Sequence, residues 1–365
     1  MNFGAGLFSC LAYNGKLKIV AVGAAASVVL RSAEVFNADE TIKDFAATSK
    51  VAASVEPNAL PEVQIARKVQ SFSDKTKFNL RLYQFQTCPF CSKVRVFLDY
   101  YGFSYEIVEV NPVTRKEIKF SAYRKVPILV AKGCSNKQLN DSTTIISILS
   151  SFLWNRTQTL DEIQDYYPVV QLNKKDNPEE FKSQTANKYF IMADDIDEDG
   201  IERLRQERMW REWADNELVH MISPNVYRTF SESLDTFEWF SHNGEWERLF
   251  TPWERTMVIY VGAAAMFLVA RRLKKRHMLK PDVRESLYDS CRKWVVGIGK
   301  DKPFMGGVTP NLADLAVFGM LKSMEGCQAF NDLLAHVKIG PWFYRMEKST
   351  KNHEGAKYLE EGFRS

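Results

Sequence analysis

Acidic side chains are missing from the first thirty-three residues, histidine occurs only five times, and there are only six cysteines. Each scarcity excludes something. The cysteines, at 10, 88, 91, 134, 291 and 327, lack the regular spacing of a secreted disulfide framework, so the folded part belongs in a reducing compartment. Only Cys88 and Cys91 are closely spaced, and no second Cys/His pair stands at ligand spacing, so no metal site is expected. Charge is nearly balanced: the formal net charge is +4, and no basic stripe with interleaved aromatics appears, which excludes a nucleic-acid partner. The one basic cluster is Arg271-Arg272-Leu273-Lys274-Lys275-Arg276-His277. A continuous apolar stretch of about 20 residues, enough to span a bilayer, is also lacking. With 45% hydrophobic and 26% charged residues the chain is otherwise of ordinary globular composition, and 365 residues leave room for two domains.

The most legible stretch is 80–101. Leu80-Arg81-Leu82-Tyr83-Gln84-Phe85 reads as a strand, Cys88-Pro89-Phe90-Cys91 as a tight turn, and Ser92 onward as an amphipathic helix that Gly102 ends. A helix start carries unpaired N–H groups and partial positive charge, which favour a thiolate over a thiol. Cys88 sits there with Lys93 and Arg95 nearby in the chain, so it is expected to be the acidic, reactive sulfur. Pro89 pre-sets the first turn, and Cys91 is expected on the same side but more sheltered.

Residues 1–33 read as a hydrophobic leader, with Lys16, Lys18 and Arg31 around the apolar run 19–30. A membrane anchor, an organelle-targeting presequence and a secretory signal all fit basic flanks, and a reducing-type cysteine site makes secretion the poorest of them. Residues 34–76 read as a linker with one loose helix near 63–72. Over 77–153 the order is strand, helix, strand (104–110), a short helix (114–120), strand (125–130), strand (137–139) and a last helix (143–153) capped by Asn140-Asp141-Ser142. The first three elements require a right-handed parallel crossover. Residues 154–204 are a polar connector, and 205–365 form a helical domain, with helices expected over 208–222, 251–277, 282–298, 312–325 and 341–348. The apolar run 257–270 reads as a buried core helix, its Gly262-Ala263-Ala264-Ala265 suited to close helix packing. Asn311-Leu312-Ala313-Asp314 reads as a capping box, a folding device with little chemical role.

A βαβ unit followed by ββα, with Cys-x-x-Cys at the first helix and Val126-Pro127 before the third strand, resembles the thioredoxin fold. The resemblance implies a cis Pro127 against the active cysteine and a Val126 backbone that pairs with glutathione. Asp141 and Ser142 match the residues that hold the γ-glutamyl end in glutathione transferases; read alone, they are a helix cap. The fold class is therefore α/β plus all-α: a thioredoxin-like, glutaredoxin-type domain and then a glutathione transferase-like helical domain.

The motifs Thr87-Cys88-Pro89-Phe90-Cys91-Ser92-Lys93-Val94-Arg95, Ala122-Tyr123-Arg124-Lys125-Val126-Pro127-Ile128-Leu129-Val130, Ile222-Ser223-Pro224-Asn225-Val226-Tyr227-Arg228-Thr229 and Lys302-Pro303-Phe304-Met305-Gly306-Gly307 resemble the membrane-associated prostaglandin E synthase type 2 family over residues 79–345. The resemblance implies thiol-dependent isomerisation of the lipid endoperoxide prostaglandin H2 to prostaglandin E2, with Cys88 catalytic, Cys91 and Pro89 supporting, and Phe90 walling the lipid site. It further implies glutathione and haem as bound groups, with haem held through the glutathione sulfur. It also implies membrane association through the N-terminal segment, at the Golgi or mitochondria, and allows a homodimer. Phe85 departs from the pattern, which places Tyr three residues before the first cysteine. Two other functions remain open on the residues themselves: a glutaredoxin- or omega-type thiol oxidoreductase, favoured by the dithiol, and a non-catalytic glutathione-haem binding protein. His220 and His277 lie in helical segments near the expected cleft, where a lone histidine is more often a surface or capping residue than a haem ligand.

Overall fold

The computed structural model describes residues 60–112, 114–170, 184–193 and 196–363, together with the backbone of 9–13, 16–20, 171–174 and 177–183. Most of the expected leader, and of the linker up to residue 59, lies outside the described residues. Within the leader the backbone forms two antiparallel strands, β1 (Ser9–Tyr13) and β2 (Lys16–Val20).

The sheet half follows the expected order. Strand β4 (Leu80–Gln84) leads through the cysteine turn into α1 (Pro89–Tyr101), and β5 (Tyr105–Glu109) returns parallel to β4. Strands β6 (Ile128–Ala131) and β7 (Lys137–Asn140) add antiparallel on the other side of β4, and α2 (Ser142–Trp154) follows. Gly102 ends α1 at φ 72°, the left-handed conformation glycine adopts without strain. Two expectations are corrected here. Residues 67–69 form an edge strand, β3 (Arg67–Val69), antiparallel to β5, where a loose helix in a linker was expected; the sheet order is β3-β5-β4-β6-β7. The expected helix over 114–120 is only a single 3₁₀ turn, Lys116–Ile118.

The connector holds α3 (Leu160–Asp165) and a hairpin of β8 (Val169–Lys174) and β9 (Asn177–Thr185). Thereafter everything is helical. Helix α4 (Glu198–Trp213) runs through a π-helical turn, Ala214–Leu218, into α5 (Val219–Val226). Then come α6 (Phe230–Asn243), the short α7 (Trp246–Leu249), α8 (Pro252–Arg276) and α9 (Val283–Ile298). Last are α10 (Leu312–Lys322), α11 (Gln328–His336), α12 (Gly340–Lys351) and α13 (Ala356–Glu361).

One apolar core joins the two halves. Phe97, Tyr101 and Ile145 of the sheet half share it with Leu218, Phe318 and Phe343 of the helical half. Helices α1 and α10 approach closely because Gly319 has no side chain: a Cβ there would lie 2.6 Å from the Lys93 Cα. The capping box is as expected and does more. Asn311 accepts from the Ala313 and Asp314 N–H groups, while Asp314 also takes the Met305 and Gly306 N–H groups and the Trp342 indole. Gly262 packs α8 onto α6, where a Cβ would meet the Phe237 ring at 2.5 Å.

Candidate active site

Cys88 is the N-cap residue of α1, half-buried, and Cys91 one turn on is fully buried. A strand ending in a proline-initiated helix leaves the first N–H groups aimed at the Cys88 sulfur. The hydrogen bond from the Cys91 thiol lowers the Cys88 pKa, and the Cys91 and Phe90 N–H groups and Arg95 add to it against the opposing effect of burial. Burial pushes Cys91 well up, with the Cys88 sulfur adding to the rise, so Cys91 is the partner that keeps its proton.

Lys93 does not serve Cys88, contrary to the expectation from chain proximity. Its ammonium is turned inward, 2% exposed, 2.6 Å from Asp215 and 2.7 Å from the Thr143 hydroxyl. A buried lysine must find an anion, and the nearest one lies on the π-helical turn of the other half. Asp215 also accepts from Thr143 and Tyr189, and Arg211 beside it reaches Ser147. Arg95 alone keeps the expected role. It donates to the Gln86 carbonyl at 2.6 Å and to the Gln84 side chain, bracing the segment that leads into the cysteine turn. The Gln86 N–H donates in turn to Glu109 at 2.6 Å, whose carboxyl burial pushes up to about 7.

The expected glutathione-side residues converge from the sheet. The Val126–Pro127 peptide is cis, and β6 begins only at Ile128, so the Val126 backbone stands outside the ladder. Asp141, at φ 68°, caps α2 through Oδ1, which accepts the Thr143 and Thr144 N–H groups at 3.0 Å each. Ser142 is the first residue of that helix and is buried. Tyr123 links this group to the cysteines: like Phe85 and Cys88 it packs against the small apolar cluster that contains Cys91 and Val126, and burial and the charges of Asp141, Cys91 and Cys88 push its phenol up. Nothing in its spacing marked Tyr123, because only the tertiary fold brings it to the cysteine turn.

On the helical side an open cleft encloses about 1070 Å³, counting its mouth. Phe85, Cys88, Pro89 and Phe90 form one wall, and Val219, Tyr227, Phe237, Phe240, Trp246 and Met266 form most of the rest. Val126, Asp141 and Ser142 are not part of that lining, so Cys88 stands where a sheet-side subsite and an apolar cleft meet. His220 and His277 both line the cleft. His220 and His277 stack with ring centroids 3.9 Å apart and planes 13° apart, and the His277 Nε2 is buried without a hydrogen-bond partner. Burial first, then the neighbouring His277 and Arg276, lower the His220 pKa to about 4, so this imidazole is neutral at pH 7.

Residues 82–151 match the family model described as glutathione S-transferase, N-terminal domain. Prostaglandin E synthase 2 of Mus musculus is 49% identical over 293 residues, covering 79% of this chain and 74% of that protein. Prostaglandin E synthase 2 of Danio rerio is 48% identical over 293 residues, covering 79% of this chain and 76% of that protein. Among solved structures, glutathione transferase F7 from Populus trichocarpa aligns over 76% of this chain and 99% of its own with 13% identity and a TM-score of 0.41. With nearly half its residues shared over most of both proteins, the chain belongs to the prostaglandin E synthase 2 family.

Proposed function

We propose that the cleft isomerises prostaglandin H2 to prostaglandin E2 with Cys88 as the catalytic residue. The observation that supports this most is an acidified, accessible sulfur in the wall of a large apolar cleft, in a chain of this family. The Cys88 thiolate attacks the endoperoxide oxygen borne by the carbon that becomes the ketone. An S–O bond forms, the weak O–O bond breaks, and the other oxygen leaves as an alkoxide that takes up a proton. Loss of a proton from that carbon then forms C=O and breaks S–O, which returns the thiolate. No electrons enter or leave overall, and the buried, protonated Cys91 holds the returning thiolate by its hydrogen bond.

The residues present fit glutathione: a Val126 backbone outside the sheet ladder, the α2 start with Ser142, and the Asp141 carboxylate whose Oδ2 takes no hydrogen bond among the described residues. When bound, glutathione supplies a thiol that returns oxidised Cys88 to its reduced form. Haem, where bound, is proposed to be held through the sulfur of bound glutathione and not by a histidine, since the His277 Nε2 is buried in the stack with His220. The leader is proposed as the membrane attachment.

Product analysis with prostaglandin H2 tests the reading. Cys88→Ser is expected to lower turnover at least about 100-fold, on the scale of removing an activated nucleophile, while Cys91→Ser retains most of it. A thiol oxidoreductase is the second reading, favoured by the Cys91-to-Cys88 hydrogen bond of a dithiol pair. It predicts the opposite for Cys91→Ser, a loss of disulfide reduction. Unchanged isomerisation in Cys88→Ser would sink the first reading.

A further inference from the structure

Helix α8 has two faces with different tasks. Its inner face, with Val258, Met266 and Leu273 buried, packs on the helical core and, through Met266, Leu273 and His277, lines the cleft. Its outer face is bare: Trp253 is 64% exposed, Tyr260 56%, Leu268 56% and Met257 37%. At 3.6 residues per turn these four lie in one stripe, and the exposed Phe230 of α6 widens it by its edge contact with Phe267. No charged residue stands between Arg255 and Arg271, and no acidic residue anywhere from Arg255 to Arg276. The stripe then runs directly into Arg271, Arg272, Lys275 and Arg276, all exposed, with the Arg271 guanidinium stacked 4.3 Å over the Phe267 ring. By length and apolar composition α8 passes for a bilayer span, yet half of its most apolar window is buried against protein, which leaves only one side for lipid.

We propose that the outer face of α8 is a docking surface for anionic phospholipid, with Trp253, Tyr260 and Leu268 set into the headgroup boundary and the four cations on the phosphates. Charge decides the occupant. Anionic headgroups complement a face whose one acid, Glu254, stands in its first turn and which ends in a cation cluster, whereas a second copy of the same face would bring these cations near one another. The surface is separate from the leader and from the reaction assigned to the cleft. Its position makes α8 a wall shared between lipid and cleft, so an apolar substrate reaches Cys88 from the membrane side.

The test uses the full chain and vesicles of phosphatidylcholine with or without phosphatidylserine, and reads binding alone. Anionic vesicles are expected to bind the parent more tightly than neutral ones. Arg271→Glu/Lys275→Glu is expected to lose about tenfold in that anionic affinity, and Tyr260→Glu/Leu268→Glu a comparable factor. Brominated lipid should quench the parent's fluorescence more than that of Trp253→Phe, a readout the leader cannot mimic. Thermal melting shows whether each variant folds, and the exposed Arg271/Lys275 pair decides if the Tyr260/Leu268 variant does not. Parent-like vesicle binding in the charge variant, equal quenching in Trp253→Phe, or a parent dimer that Tyr260→Glu/Leu268→Glu turns into monomer would each overturn the proposal.

Discussion

Cys88 and His220 are both held below their ordinary pKa values, the first with a consequence for function and the second for stability. The Cys88 thiol lies below its ordinary value, so the thiolate is already present at pH values where a free thiol, with a pKa of about 8.5, is protonated. Isomerase activity is therefore expected to rise with pH along a limb centred below that value. Replacing Arg95 with Met should move the limb upward, because one favourable charge is removed; a limb that stays in place would show that Arg95 acts only through the Gln86 brace. His220 is lowered from 6.5 to about 4, so between those values the unfolded chain binds more protons than the folded one. Stability should rise with pH across that window and level off above it. Melting temperatures of parent and His220→Gln measured from pH 4 to 7 check this, with a flatter slope expected in the variant.

The elements that carry the site are held by one buried ion pair. Lys93 on α1, Thr143 on α2, and Asp215 on the π-helical turn bring three elements to one point, and both ionic side chains are 2% exposed. Lys93→Met removes the closest cation from the buried Asp215, leaving it the Thr143 and Tyr189 hydroxyls and the more distant Lys188, and is expected to cost about 3 kcal/mol. Lys93→Met/Asp215→Leu should be less destabilised than Lys93→Met alone, which denaturant unfolding of the two variants decides. This pair was illegible in the chain, since Lys93 five residues after Cys88 reads as a local charge and only the packing of α1 against the helical half reveals its partner. The βαβ unit and the Cys88 turn were legible because alternating apolar residues, a proline and a terminal glycine all agree. The three-residue β3 and the polar β8–β9 hairpin carry no such agreement, and the sheet or the chain reversal imposes them. Helix α6 was missed for a related reason: its acids, Glu232, Asp235 and Glu238, mask the few buried positions that face α8.

As a whole molecule the chain does not divide cleanly at the end of α2. Helix α1 lies between the sheet and α10, and the C-terminal segment closes back on the sheet half, with Gly355 N–H donating to the Tyr100 carbonyl and Phe363 N–H to that of Leu153, each at 3.0 Å. A fragment of residues 60–154 is therefore expected to show no cooperative unfolding transition by circular dichroism, while the full chain does. A sharp transition in the fragment would show that the sheet half stands alone. The π-helical turn at Ala214–Leu218 carries a last consequence for this joined architecture. It holds one residue more than an ordinary helical turn, so excising a single position there would close it to an ordinary turn and leave the segment beyond facing much as before. His220 would keep its place in the cavity while the side chains within the turn, Asp215 among them, changed direction, leaving the same mouth on a less tightly knit protein.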